Sequence, residues 1–221
     1  FIYYAKFSEK KIKIIAGIDE VGRGSLCGPV MACALTTTLF ALPKFKIKNA
    51  NIKMKIQNLK FLKDSKKTSP NRREKVYEIL KKDPSVQWGT GRISERVIDK
   101  INIFEAAKLA MVMAVRNLEK KIGQKTGLLL IDGNFGIDIA REQKSIIKGD
   151  EHIFLISLAS IVAKVERDRL MIKMHKRYPQ YGFDRHKGYG TKLHFERLKK
   201  FGPCKIHRQS FEPIKSSFGY G

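Results

Sequence analysis

Two short apolar runs in this chain stop at a carboxylate: KIIAGID, Lys13 to Asp19, and LLLID, Leu128 to Asp132. Both are rich in branched side chains and too short for a helix, so each reads as a buried strand ending in an acid. A glycine-rich turn, VGRGSLCGP, follows the first, and Val30 to Leu39 reads as a second strand paired to it like a hairpin. Later segments alternate between strand and helix patterns. Strands first, then strands alternating with helices, is the order of an α/β domain with a mixed sheet and helices on its faces.

The remaining elements are read from caps and periodicity. Ser69-Pro70 supplies an N-cap and a proline at the first helical position, for a helix to about Lys82. Val86 to Ile93 reads as a strand interrupted by glycine, and Ser94 caps a short helix. Ile103 to Ile122 is a long amphipathic helix, apolar at Ala106, Leu109, Ala110, Met113, Val115 and Leu118. Ser145 to Ile147 reads as a short strand, with Asp150 closing it. Phe154 to about Tyr178 is a second long helix, and Thr191 caps a last one to about Lys200. The C-terminal quarter reads as a small, basic helical lobe, with SSFGYG from Ser216 a loose tail. No apolar stretch approaches the ~20 residues of a membrane span, and Phe1 to Lys13 carries no signal-peptide pattern.

Charge narrows the function. Lys and Arg number 45 against 21 Asp and Glu, a net charge of +24 over 221 residues. So large an excess repels itself unless an anion neutralises it, and nucleic acid is the default partner. A Lys-rich thermophile composition would raise Glu as well, which this chain does not do. Cys27, Cys33 and Cys204 are odd in number and form no CxxC pair, which suits a reducing cytoplasm. His186, His194 and His207 match no zinc spacing and read as structural or phosphate-contacting.

Within this basic chain four acids stand out: Asp19 and Glu20 closing the first strand, Asp132 closing LLLID, and Asp150 closing the short strand after Ile146-Ile147. Functional groups in α/β folds collect at strand ends. Carboxylates gathered there repel one another until a hard divalent cation, Mg²⁺ or Mn²⁺, neutralises them through oxygen. Two such ions ~3.5–4 Å apart form the usual arrangement for cleaving a phosphodiester: one activates water and the other stabilises the leaving 3′ oxygen. Singly, each acid also reads as a turn residue or helix cap, as Asp132-Gly133-Asn134 illustrates.

The segments around these acids resemble the ribonuclease HII family. GIDEVGRGSLCGPV (Gly17 to Val30) is similar to its signature. LKDSKKTS (Leu62 to Ser69), LLIDGN (Leu129 to Asn134) and IIKGD (Ile146 to Asp150) match further blocks. So do ISLASIVAKVERDRLM (Ile156 to Met171), YPQYGFDRHKGYGTKLH (Tyr178 to His194) and HRQSFEPI (His207 to Ile214). The blocks fall in family order over roughly residues 13 to 214. The resemblance implies a ribonuclease H-like fold: a five-stranded mixed sheet flanked by helices, with a small helical C-terminal lobe. It implies one catalytic domain over 1–221, a substrate-binding helical portion at about 180–214, and a tail at 215–221.

It further implies an endoribonuclease that cleaves RNA in RNA–DNA hybrids and at single ribonucleotides in duplex DNA. The cut falls 5′ of the ribonucleotide and leaves 3′-OH and 5′-phosphate ends, as expected in DNA replication and ribonucleotide excision repair. By position, the metal-binding and catalytic acids are Asp19, Glu20, Asp132 and Asp150, holding two Mg²⁺ or Mn²⁺ ions. Gly22, Arg23 and Gly24 match the loop that senses the ribonucleotide, whose 2′-OH alone marks RNA. Tyr189 matches the tyrosine that packs on the neighbouring deoxyribose. Ser65, Lys66 and Lys187 are expected phosphate contacts. A monomer is expected, with a sliding-clamp contact through the tail. Ser25 stands where the family has proline, Cys27 where alanine is common, and Thr68 where leucine is usual. Asp168 is read as a structural partner of Arg167, Arg169 or Lys164. The Lys-rich stretch from Phe40 to Lys60 has no assigned role beyond a basic loop.

Two other readings stand beside this one. Ribonuclease HIII shares the acids but usually lacks the Gly-Arg-Gly loop and carries an extra N-terminal domain, whereas only 18 residues precede Asp19 here. A non-catalytic nucleic-acid-binding module on the same fold would be expected to have lost an acid.

Overall fold

The computed structural model describes residues 14–37 and 69–218; the readings on Ser65, Lys66, the Phe40 to Lys60 stretch, the N-terminal 13 residues and the last three lie outside it. In chain order the elements are β1 (Ile15–Val21), β2 (Val30–Thr37), α1 (Pro70–Lys82), β3 (Val86–Ile93), α2 (Glu95–Ile101), α3 (Ile103–Ile122), β4 (Leu128–Asp132) and β5 (Glu142–Ile146). Then come α4 (Gly149–His152), α5 (Phe154–Arg177), a 3-10 turn (Pro179–Tyr181), α6 (Phe183–His186), α7 (Lys192–Phe201) and α8 (Ile214–Phe218). The five strands lie in the order β3-β2-β1-β4-β5. β1/β2 and β2/β3 are antiparallel, while β1/β4 and β4/β5 are parallel, so the sheet is mixed.

Alternation along the strands splits the core in two. Ala16 and Ile18 of β1 and Leu129 and Ile131 of β4 pack under α3. Leu128 and Leu130 face the other way, against Ile153 and Ile156 at the start of α5. Both long helices approach closely. A Cβ at Gly91 of β3 would lie 2.0 Å from the Ala110 carbonyl oxygen of α3, and one at Gly17 of β1 would lie 2.3 Å from the Leu155 carbonyl carbon of α5. The glycines interrupting β3 are therefore what lets α3 sit down on it.

That contact also moves the apolar stripe expected of α3. Its buried face runs through Ala106, Ala107, Ala110, Met111, Ala114, Val115 and Leu118, while Leu109 and Met113 are 40% and 37% exposed. Small residues win the inner face because larger ones would hold the helix off the strand.

Other boundaries shift too. β5 begins at Glu142, earlier than the expected Ser145, because its register with Leu128 sets the start. Asp150 does not close that strand; it lies in the first turn of α4. α7 is not the last helix, since α8 follows, and the stretch from Ser216 begins inside it with Ile214 anchored in the core. Ser69 stands at the N-cap of α1, but its hydroxyl makes no capping bond. Thr191, by contrast, accepts the His194 N–H. Among the described residues no helix is long and apolar enough to cross a membrane.

Candidate active site

The parallel register of β1 with β4 puts Ile18 beside Ile131, and one residue further brings Asp19 beside Asp132. Asp132 falls on the same side of the sheet as Leu128 and Leu130, the side facing α5, because side chains alternate along a strand. The Asp132 Oδ1 accepts the Gly149 N–H at 2.7 Å, which ties the end of β4 to the start of α4. Asp150 follows in that first turn and is 2% exposed. Glu20 succeeds Asp19 on β1, and its N–H donates to the Asp19 carboxylate at 2.7 Å. The four acids thus arrive from β1, β4 and α4 at one end of the sheet, and Asp19 interacts electrostatically with the other three.

Their electrostatics are unfavourable as they stand. Burial pushes the Asp19 carboxyl well above the usual carboxylate range; Glu20 and Asp132 push it further, and a hydrogen bond from Ser160 of α5 opposes them. Burial also raises Glu20, against the pull of Arg23, whose guanidinium donates to Glu20 Oε1 at 3.2 Å. Glu20 Oε2 is buried with no hydrogen-bond partner. An orphaned carboxylate oxygen among crowded anions is costly, and a cation removes both costs. The donor set is all oxygen, which fits a hard divalent ion rather than a soft one.

Beside the acids lies the turn after β1. Gly22 has φ +92°, and a Cβ there would sit 2.2 Å from Arg167 Nε. Gly24 differs: nothing of the protein lies within 4 Å of where its Cβ would be. Arg23 and Gly24 are exposed. Tyr189 reaches this turn through a bridge to Ser25, and its ring lies 5.2 Å from Lys164 Nζ and 5.5 Å from the Arg167 guanidinium. The structure therefore gathers Gly22, Arg23, Gly24 and Tyr189 on one wall. Lys187 has φ +52°, and its ammonium donates to the Asp184 carbonyl. Asp168 pairs with Lys164 at 2.8 Å and Arg73 at 3.8 Å, not with Arg167 or Arg169.

A second cluster of titratable groups lies beneath that wall. Ligand-type atoms of Cys27, His194 and His207 all fall within 4.8 Å of one another. The hydrogen bonds of the two imidazoles leave neither ring a lone pair for a metal. His194 Nδ1 lies 3.0 Å from the Tyr189 carbonyl, so it carries the proton and Nε2 accepts. His207 Nδ1 accepts the Cys204 N–H at 2.8 Å, so Nε2 carries the proton and donates it to His194 Nε2, 3.1 Å away. His186 is likewise settled, with Nε2 on the Tyr181 carbonyl and Nδ1 accepting the Gly188 N–H. Burial lowers all three, His194 to about 3 and His207 to about 4. The three imidazoles are neutral packing groups, which fits the structural alternative read from their spacing.

The sequence reading missed Ser160, Arg167 and Arg208 as site-shaping groups. Ser160 and Arg167 lie inside the quoted helix motif, and Arg208 inside HRQSF. Nothing local distinguishes a fully buried arginine in a chain with 45 basic residues.

A five-stranded mixed sheet with carboxylates converging at one end and a basic surround defines a nuclease of the ribonuclease H class. A family model described as Ribonuclease HII matches residues 16–214. Ribonuclease HII of Chlamydia trachomatis serovar A is 45% identical over 207 residues, covering 94% of this chain and 86% of that protein. Two solved structures share the fold. Ribonuclease H2 of Pyrococcus horikoshii OT3 has a TM-score of 0.67 and 24% identity, over 92% of this chain and 96% of that one. RNase HII of Archaeoglobus fulgidus, solved in complex with PCNA, has a TM-score of 0.67 and 22% identity, over 90% and 95%. The chain belongs to the ribonuclease HII family, and it is a ribonuclease H endonuclease acting on RNA in RNA–DNA hybrids.

Proposed function

We propose that Asp19, Glu20, Asp132 and Asp150 hold two divalent cations, Mg²⁺ or Mn²⁺, and that the enzyme cuts hybrids and single ribonucleotides embedded in duplex DNA. The observation that carries this reading is the buried, partnerless Glu20 Oε2 beside an Asp19 already crowded by Asp132 and Asp150. When bound, such ions supply an activated water and neutralise charge on the leaving oxygen. The chain's own residues do the rest. Ser160 orients the Asp19 carboxylate. The Gly149 N–H fixes Asp132. The open space at Gly24 admits a sugar edge to the backbone. Tyr189 offers a ring face to the adjoining deoxyribose, where a 2′-OH would clash.

The nick is on the 5′ side of the ribonucleotide and leaves 3′-OH and 5′-phosphate ends. Lys187, Ser65 and Lys66 contact phosphates, and the enzyme works as a monomer. Free Cys27, Cys33 and Cys204 suit a reducing cytoplasm, where the role is ribonucleotide removal during replication and repair. A sliding-clamp contact through the tail is supported by the Archaeoglobus relative's complex with PCNA. The test is a labelled DNA duplex bearing one ribonucleotide, incubated with Mg²⁺, Mn²⁺ or chelator, with the nick mapped. Cleavage in chelator, or none with either ion, refutes the reading.

A further inference from the structure

Two of the largest fully buried side chains among the described residues are arginines, Arg167 of α5 and Arg208 of the segment after α7, both 0% exposed. Neither is satisfied by a carboxylate bond. Arg167 donates to three carbonyls: Pro29 at 3.0 Å, Cys27 at 3.2 Å and Lys187 at 3.0 Å. Arg208 also donates to three: Gly22 at 2.7 Å, Arg23 at 2.8 Å and Gly28 at 2.9 Å. Burying an uncompensated cation is expensive, and a mere filler of this volume would be apolar. What the two cations share is their target. Five of the six carbonyls belong to the 22–29 turn, and the sixth precedes Gly188-Tyr189 by one residue.

The geometry has a directional consequence. In a trans peptide the C=O of one residue and the N–H of the next point opposite ways. With the Gly22 and Arg23 carbonyls drawn inward to Arg208, the Arg23 and Gly24 N–H groups are turned outward, on the two exposed residues of the turn. Arg167 adds the lateral dimension. It fills the space a Gly22 side chain would need, lies 5.5 Å from the Tyr189 ring, and bonds carbonyls on both sides of the gap. The turn is further tied to both neighbours by Leu26 N–H to the Gly188 carbonyl and Arg208 N–H to the Leu26 carbonyl, each at 2.9 Å.

We propose that Arg167 and Arg208 are specificity-positioning residues: a buried pair of guanidiniums that aims the N–H groups of the turn at the ribose and sets its distance to Tyr189. The inference rests on the reading that this turn and Tyr189 together recognise an RNA–DNA junction. It goes further in saying that discrimination is set by cations that touch no substrate. A continuous hybrid offers many registers, so a misaimed turn costs it less than it costs a duplex with one ribonucleotide.

The experiment compares kcat/KM on a duplex with one ribonucleotide and on a continuous hybrid, for the full-length wild type, Arg208→Lys and Arg167→Lys. Lysine keeps the charge but cannot span three carbonyls. Each variant should lower the ratio of the two rates by on the order of tenfold or more, mostly in kcat on the single-ribonucleotide substrate, with the Mg²⁺ midpoint on the hybrid within twofold of wild type. A folded variant whose ratio stays within twofold of wild type overturns the proposal.

Should a lysine variant melt too low to assay, Asp99→Ala decides. Asp99 accepts the Gln209 and Ser210 N–H groups at 3.0 Å and so braces Arg208 from the exposed side. Its loss should lower the ratio about threefold, and an unchanged ratio overturns the proposal. A wild type unable to cut at one ribonucleotide would instead overturn the underlying junction reading, and this proposal with it.

Discussion

Among the described residues two buried clusters of titratable groups stand out, and they are opposites. In the histidine cluster every ring proton has an address: Tyr189 carbonyl, Tyr181 carbonyl, His194 Nε2. Burial there favours the neutral form, and the neutral form is the one whose hydrogen bonds close. In the acid cluster burial and like charge both work against the ionised form, and one oxygen of Glu20 has no partner. A closed network is finished as folded; an open one is finished by something from outside. Buried polar groups are informative in this way: the unsatisfied set marks the chemistry and the satisfied set marks the frame that holds it.

The largest effect expected is on activity. Asp132→Asn should cut hybrid cleavage by on the order of 10³-fold, several kcal/mol of transition-state charge stabilisation, while leaving the melting temperature unchanged or higher. A variant cleaving at the wild-type rate would erase the contrast between the clusters.

Acid pH should separate the clusters by sign. His194 and His207, at about 3 and about 4 when folded against 6.5 unfolded, leave the folded state short of protons. Their contribution is therefore complete above about pH 6.5 and lost as pH falls below it, by up to about 1.4 kcal/mol per pH unit for each imidazole. Asp19 runs the other way: its folded pKa is raised, so the cation-free protein gains from this group as pH falls from that raised value toward the ordinary carboxylate range. Asp19→Asn removes this offset. Urea midpoints at pH 7 and pH 5 without divalent ions should fall further on acidification in Asp19→Asn than in wild type; equal falls would contradict the assignment.

His194→Ala should cost about 3 kcal/mol of stability from a cavity plus two stranded partners, read from denaturant unfolding. The loss should be the same with and without divalent ions, since no metal is expected in that cluster. A metal-dependent loss would reopen the Cys27, His194 and His207 trio as a site.

Ser160→Ala should weaken cation affinity by about tenfold, the size expected when a group behind a metal ligand is removed, with little change in folding. Isothermal titration with Mn²⁺ reads it directly. The smallest effect is at Ser25, whose buried hydroxyl has no partner. Ser25→Ala should be neutral or stabilising by at most about 1 kcal/mol in thermal unfolding; a clear loss would mean the hydroxyl is bonded after all.

Local pattern fixed a good deal of this protein. Apolar runs that meet acids mark β1 and β4, a proline after serine starts α1 at Pro70, and a stretch interrupted by glycine becomes β3. The four acids lie within or at the ends of short sequence blocks that resemble the family's. These are properties of consecutive residues, and backbone periodicity and caps express them without help from the rest of the chain. Tertiary structure alone decided the rest. It chose alanines over Leu109 and Met113 for the inner face of α3, since how close a helix may approach depends on the glycines of another strand. It set Asp19 beside Asp132 through register across more than a hundred residues. It buried Arg167 and Arg208, two of many basic residues, because only a folded turn turns that many carbonyls toward one point. Such pairings lie in no short window of sequence; they come into being when distant segments are packed against each other and desolvated.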